Sequence, residues 1–326
     1  MAIKRIFRWF PGRRAVVLLG LALGGLAGLS YVSVTREQAE RAELLEVARR
    51  QPFAPTEIVQ LGLIPAELNE SSGLGVSQAH PGVFWTHNDS GDEARVYALD
   101  ERAMLVATVA VDGVEARDWE AMTLGRCPHE SARSCLYAAD IGDNRARREQ
   151  VEVYVIEEPD PADGNIAVSA AASLTITYPD GPHDAEGIAV TPAGDLVIVT
   201  KEQVRSTLVF TLPADQVRVA LESGATLTPA AGHPLPIVPD REIRRYATGA
   251  TFTLSGDRLV IRTYRELFVF AWPLEPDAQP LAEPCFLGQL DPQGEAIGAE
   301  DDGWLVLTSE SPGRRRGGLH RVRCDF

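Results

Sequence analysis

Three short stretches set a carboxylate in the same surroundings: Asp118-Trp119-Glu120-Ala121-Met122, Asp184-Ala185-Glu186-Gly187-Ile188 and Gly294-Glu295-Ala296-Ile297. Counted from the Glu, each continues small, apolar, small, apolar. Ser72-Gly73-Leu74-Gly75-Val76 and Thr248-Gly249-Ala250-Thr251-Phe252 repeat the pattern with a hydroxyl in place of the carboxyl. Alternation of this kind marks a β-strand, so the five reference residues hold equivalent places in five strands. Where those strands converge, Ser72, Glu120, Glu186, Thr248 and Glu295 make a ring of oxygen ligands. Three carboxylates side by side do not all stay ionised without a counter-charge. A hard divalent cation supplies it, and Ca²⁺, which takes about 6–8 oxygens, suits the ring plus water better than octahedral Mg²⁺. No His or Cys stands at a reference position, which disfavours zinc. The alternative is a solvated channel in which a Glu is protonated or paired with an Arg.

A second layer of polar residues follows the next strand of each unit: Asn88-Asp89-Ser90-Gly91-Asp92, Asp140-Ile141-Gly142-Asp143-Asn144, Lys201-Glu202, Tyr264-Arg265-Glu266 and Ser309-Glu310. These loops are expected to gather at one mouth of the ring. There Asp89, Asp92, Asp140 and Asp143 suit a second cation or a general base, and Lys201, Arg262 and Arg265 suit a phosphate or carboxylate clamp. Asp89, Asp140, Lys201 and Arg262 are therefore the candidate catalytic residues. Ordinary turn chemistry selects the same Asp, Asn and Gly residues, and stands as the competing explanation. His87 and His183 adjoin the acidic motifs without forming a metal set. Gly-x-Ser-x-Gly, His-Glu-x-x-His and phosphate-binding Gly-Lys-Ser/Thr motifs are absent from the chain. Arg314-Arg315-Arg316 reads as a solvated loop.

The elements that position these residues are short strands. Each reference strand is followed by further apolar runs: Val83–Asn88, Arg95–Leu99 and Leu105–Val111 in the first unit, Cys135–Ile141, Val151–Ile156 and Leu174–Tyr178 in the second. The third has Leu196–Lys201, Thr207–Leu212 and a strand near Ala225–Thr228; the fourth has Arg258–Tyr264, Leu267–Trp272 and Pro284–Leu290. The fifth offers only Trp304–Ser309 and Leu319–Arg323 after its reference strand. Five four-stranded units predict an all-β, five-bladed β-propeller. The unmatched strand Glu57–Ile64 is the piece the fifth unit lacks, so pairing the two ends is expected to close the ring and remove exposed edges. Reference residues lie 48, 66, 62 and 47 residues apart. The longer intervals hold insertions at Pro159–Asn165 and Pro229–Pro239, and a sixth blade within one of them is the alternative.

Ahead of this body, residues 1–14 are basic and residues 15–34 form an uncharged run of about 20 residues, long enough to span a bilayer as a helix. Poor cleavage sites favour an uncleaved anchor over a signal peptide, whose cleavage would leave a secreted protein. The flanking charge puts the N-terminus in the cytoplasm and the body outside, in the periplasm or on the outer face. Residues 35–55 read as a helical spacer and linker, and 56–326 as the propeller. The chain has 31 Lys and Arg against 46 Asp and Glu; the first 34 residues hold five of the bases and no acid, leaving 26 against 46, a net charge near −20, on the rest. So acidic a body repels phosphate backbones and excludes nucleic acid as its main partner. The expected partners are the membrane, through the N-terminal helix, and a small anionic substrate or an envelope protein. Four cysteines permit three pairings. Cys127 and Cys135 bracket a polar turn and are expected to pair, which leaves Cys285 and Cys324 to tie the stretch before the fifth unit to the C-terminus.

In order, Ser72, Glu120, Glu186, Thr248 and Glu295 resemble the ring of the calcium-activated nucleotidases (soluble apyrases), five-bladed propellers whose central Ca²⁺ is held by Ser, Glu, Glu, Ser and Glu at successive blade starts. Leu68-Asn69-Glu70-Ser71-Ser72-Gly73-Leu74 and Asp184-Ala185-Glu186-Gly187-Ile188 also resemble the bacterial esterase-like phytase and SdiA-regulated propeller groups. The likeness runs as a pattern over residues 57–326 and is specific at those motifs; the nucleotidases' substrate-binding segments have no match here. It implies a Ca²⁺-dependent hydrolase of phosphate esters or anhydrides. The alternative is a non-enzymatic propeller that binds a ligand or protein in the cell envelope, with Ca²⁺ as a structural pin. Protein purified without reductant should show no free thiol at Cys127 or Cys135; peptide mapping that finds both alkylated would remove the disulfide and weaken the case for export.

Overall fold

The computed structural model describes residues 54–326 apart from 90, 131, 301, 302 and 314. The apolar run 15–34 and the spacer 35–50 lie outside the described residues. Among those described, no helix is long and apolar enough to cross a membrane. Phe53–Phe326 forms one compact unit.

The unit is an all-β, five-bladed propeller. Strand β1 (Glu57–Leu63) comes first in sequence and is taken up by the last blade. Blade one holds β2 (Ser71–Val76), β3 (Phe84–Asn88), β4 (Arg95–Leu99) and β5 (Leu105–Asp112). Blade two holds β6 (Trp119–Arg126), β7 (Ser134–Asp140) and β8 (Val151–Glu157), then β10 (Ala172–Ile176) after the intervening β9 (Ile166–Ser169). Blade three is β11 (Ala185–Val190), β12 (Leu196–Thr200), β13 (Leu208–Leu212) and the two-residue β14 (His233–Pro234). Blade four is β15 (Ala247–Phe252), β16 (Arg258–Thr263), β17 (Glu266–Ala271) and β18 (Cys285–Phe286). Blade five orders β19 (Gln293–Ala299), β20 (Leu305–Glu310), β21 (Gly318–Arg323) and then β1, which pairs antiparallel with β21 from Glu57 opposite Arg323 to Leu63 opposite Gly318.

Each pair of neighbouring sheets shares an apolar core, and these cores run around the axis. Trp85, Val109, Met122 and Ile156 join blades one and two; Tyr137, Val153, Ile188 and Phe210 join two and three. Val199, Val209, Phe252 and Phe270 join three and four; Val260, Leu267, Leu307 and Val322 join four and five. Leu74, Phe84, Val306 and Leu319 bring blade five against blade one. Both disulfides are present, Cys127–Cys135 closing the β6–β7 turn and Cys285–Cys324 tying β18 to the C-terminus.

Near the axis the inner strands approach too closely for side chains at some positions. A Cβ on Gly73 would overlap the Met122 backbone and the His87 ring, and one on Gly249 would stand 2.8 Å from the Glu295 carbonyl oxygen. The small residue after each reference position is therefore a packing requirement. The axis itself is filled, with a cavity of about 10 Å³ left among the inner strands. At one end the strands open into a funnel of about 790 Å³ between Leu74, Leu124, Val190 and Phe252; this roomier end carries none of the reference carboxylates.

The insertions differ from the sequence reading. Residues after Pro159 do not stay in blade two: β9 crosses to pair parallel with β5, giving blade one a fifth strand. The fourth strand of blade three is β14, not Ala225–Thr228; Leu227 instead bridges Ile176 of blade two. The intervening residues form helix α1 (Ala214–Ser223), which buries Val217 and Ala220 and ends on Gly224, whose positive φ of 68° and N–H bonded to the Ala220 carbonyl make a left-handed cap. The sequence reading assigned no element between Leu212 and Ala225, where this helix lies. A body lacking residues 56–64 should melt roughly 10 °C or more below the full body, because β21 loses its only outer neighbour and an edge is exposed; an unchanged melting temperature would show that the fifth blade does not need β1.

Candidate metal centre

A register break interrupts each inner strand at its reference residue: between Ser71 and Gly73, Trp119 and Ala121, Ala185 and Gly187, Ala247 and Gly249, and Gly294 and Ile297. The reference residue is left out of the ladder, as in a β-bulge, a device that re-aims a side chain. All five are buried, Thr248 completely. They then take three different roles.

The hydroxyls lace the inner strands together. Ser72 Oγ donates to the Glu120 carbonyl at 2.7 Å, and Thr248 Oγ1 reaches the carbonyls of Glu295 at 3.0 Å and Gly294 at 3.1 Å. Glu186 pairs with Lys201 Nζ, which also sits 5.3 Å from the Tyr264 ring centroid. Glu295 faces the same cation. Glu120 joins a second group: an oxygen of its carboxyl and one each from Asp89 and Asp118 all lie within 4.8 Å of one another. Glu120 is 4% exposed.

Gly142 makes room for this cluster. A Cβ there would stand 2.6 Å from Asp118 Oδ2 and 2.6 Å from Glu120 Cγ, so the loop after β7 folds against the carboxyls only because it lacks a side chain. Asp140 holds that loop in shape. It takes Arg148 Nη1 at 2.6 Å and the N–H groups of Arg117 and Asp118 at 3.1 and 3.3 Å, while Arg148 also donates to the Gly142 carbonyl at 2.8 Å. Asp184 Oδ1 accepts the Asp143 N–H at 2.8 Å, and its Oδ2 is buried with no hydrogen-bond partner among the described residues.

Of the residues expected to do chemistry, then, Asp89 lies in the carboxylate cluster and Lys201 at the ring. Asp140 is a loop-holding acid engaged by Arg148. The expectation that Arg262 clamps a ligand is corrected: it is fully buried, donating to the carbonyls of Ala296 and Thr308 at 2.6 and 2.7 Å and pairing with Asp291 at 2.6 Å, which pins blade four to blade five. Asp118 and Asp184 were missed as site residues. Their signal was present, since each stands two residues before a reference Glu, and residues two apart share a strand face.

Burial drives the electrostatics. It raises Glu120 well above the usual carboxyl range, with Glu186, Asp89 and Asp118 adding to the effect and Lys201 opposing it. Glu295 is raised by burial and by Glu186. Burial lifts Glu186 to about 8 against the pull of Lys201. Although burial opposes its charge, Lys201 is held above its ordinary value by Glu186, Tyr264 and Glu295. Asp118 rises to about 6 through burial and the neighbouring Asp89 and Asp184. One lysine and one arginine thus face an excess of carboxyls, and an all-oxygen donor set of this kind fits a hard divalent cation.

No family model matches the chain, and no curated protein does. Solved structures that overlay on it include the PQQ-bound form of an aldose sugar dehydrogenase from Streptomyces coelicolor, at 12% identity and a TM-score of 0.42, covering 83% of this chain and 100% of that one. The apo-form of the soluble aldose sugar dehydrogenase from Escherichia coli overlays at 12% identity and a TM-score of 0.45, covering 82% and 99%. Likeness at this level carries no argument about activity or cofactor.

An acid whose pKa is higher folded than unfolded stabilises the fold while protonated, an advantage present below its unfolded value and lost as pH rises through its folded one. For Asp118 that window runs from its ordinary 3.8 to about 6. In chelator the melting temperature should therefore fall between about pH 4 and pH 6, and Asp118→Asn should flatten that fall; a mutant with the wild-type slope would show that Asp118 does not feel its neighbours.

Proposed function

We propose that the chain is a membrane-anchored, extracytoplasmic propeller that binds Ca²⁺ at one mouth of its central channel and there holds a small anionic ligand. The observation that carries this is the convergence of three carboxyls, one oxygen each from Asp89, Asp118 and the buried Glu120 lying within 4.8 Å of one another. Carboxylates packed this closely repel one another, and a bound cation offsets that cost. Asp89, Asp118 and Glu120 would hold the ion, which supplies positive charge to fix an anion. The order of ring residues, with its resemblance to the calcium-activated nucleotidases, supports the same ion. Two disulfides agree with an oxidising compartment, and the apolar run 15–34 with an anchor.

A second reading is a Ca²⁺-dependent hydrolase of phosphate esters or anhydrides. Asp184 favours it, because its unpartnered Oδ2 stands beside the acidic cluster, where a carboxylate can take a proton from water. The binding reading leads because Asp140 and Arg262, two of the expected catalytic groups, are engaged in holding the fold.

A ligand bound only by the folded state at a hundredfold excess over Kd stabilises it by about 2.7 kcal/mol. Calcium in such excess should therefore raise the melting temperature of residues 51–326 by roughly 5–10 °C over chelator, and Glu120→Gln should remove most of that difference. A wild-type protein indifferent to chelator and free of calcium by metal analysis would reject the reading. Phosphate release from a panel of esters and anhydrides, lost in Asp184→Asn with the calcium response intact, would favour the hydrolase.

A further inference from the structure

Beside Tyr264, Arg244, Arg265 and Arg315 come close enough to influence one another. Arg265 occupies the β16–β17 turn beside Tyr264, a turn held by Thr263 Oγ1, which accepts the N–H groups of Arg265 and Glu266 at 3.4 and 3.0 Å. The Arg244 guanidinium lies 3.9 Å from the Tyr264 ring centroid, and Arg244 has a φ of 52°, a left-handed conformation that residues other than Gly, Asn and Asp rarely adopt. Arg315 comes in from the β20–β21 loop. Burial, with Arg244 and Arg315 beside it, pushes the Arg265 guanidinium below its usual value.

The pairing of the neighbouring cations makes this trio unusual. Arg245 is held bidentately by Glu266, at 2.7 and 2.9 Å, and Arg262 by Asp291. Among the described residues, Arg244, Arg265 and Arg315 make no ion pair. Arg265 gives Nη1 to the Gly288 carbonyl at 3.1 Å, while its Nε is buried with no partner. The chain carries 15 more acids than bases, so carboxylates are plentiful, yet among the described residues none pairs with these three. Like charges held together raise the energy of the fold, and an anion lowers it again.

We propose that Arg244, Arg265 and Arg315 form an anion site, which takes a carboxylate or phosphate group of the ligand bound at this mouth. Guanidinium forks match both groups. Tyr264 separates the site from the ring, its face against Arg244 and its ring 5.3 Å from Lys201 Nζ. A ligand whose anionic group rests on the arginines therefore extends past Tyr264 toward the carboxylate cluster. The proposal names the ligand's chemistry within the reading given above, but the site needs no metal to bind an anion.

The test titrates residues 51–326, in chelator and at low salt, with inorganic phosphate and separately with acetate, followed by calorimetry. Phosphate or acetate is expected to bind, whichever binds more tightly naming the ligand's group, and Arg265→Ala and Arg244→Ala should each weaken it about tenfold or more. Arg244→Lys, which keeps the charge, should weaken it less. Calcium titration of the same variants should be unchanged, which separates this site from the cation site and shows that the variants are folded. Failure of both anions to bind the wild type, or equal binding by Arg265→Ala and Arg244→Ala, would overturn the proposal. Loss of calcium binding in the wild type would leave the anion result standing and sink only the metal reading.

Discussion

Five strands meeting on one axis leave almost no room, and much of the rest follows from that crowding. Gly73 and Gly249 let neighbouring inner strands come within van der Waals reach. A side chain that followed the ladder at the reference position would compete for the same space. The break in register at each reference residue lifts it out of the pairing, and the hydroxyls of Ser72 and Thr248 then bond the next strand's carbonyls. The crowding that binds the blades also strips water from Glu120, Glu186 and Glu295. Their raised pKa values are therefore a by-product of how the ring is packed.

The charge at the mouth is divided unevenly. Lys201 pairs with Glu186 and also faces Glu295, while Asp89, Asp118 and Glu120 gather their carboxyls within 4.8 Å. Arg148 supports the acidic side from beneath, through Asp140 and the Gly142 carbonyl, without reaching the cluster's own oxygens. Beyond Tyr264 the sign reverses at Arg244 and Arg265.

The long insertions strengthen the joints between blades. The segment after Pro159 gives β9 to blade one, and the segment after Gly224 brings Leu227 to Ile176 of blade two. Arg262 does the same from within, reaching two carbonyls and Asp291 on blade five. Buried ion pairs add little net stability over apolar packing but penalise alternatives strongly, because breaking one strands a charge. Here that penalty falls on any slippage of blade four against blade five.

The sequence alone pointed to five blades, with six as the alternative, to the five reference residues and the start of the inner strands, and to Cys127–Cys135, which left Cys285 and Cys324 for each other. Each of these is written in local periodicity or in the small number of ways four cysteines can pair. Glu57–Ile64 was legible for a related reason, being an alternating run with no partner in its own neighbourhood. Local periodicity does not report which charges meet. That Lys201 takes Glu186, that Arg262 is buried and Arg244 lies on Tyr264, and that Asp118 joins Asp89 across two blades depend on distances between residues remote in the chain. Helix α1 and the handover of β9 were likewise decided by which apolar surface lay open beside the insertion. Tertiary packing fixes those distances and surfaces, and with them the chemistry of the mouth.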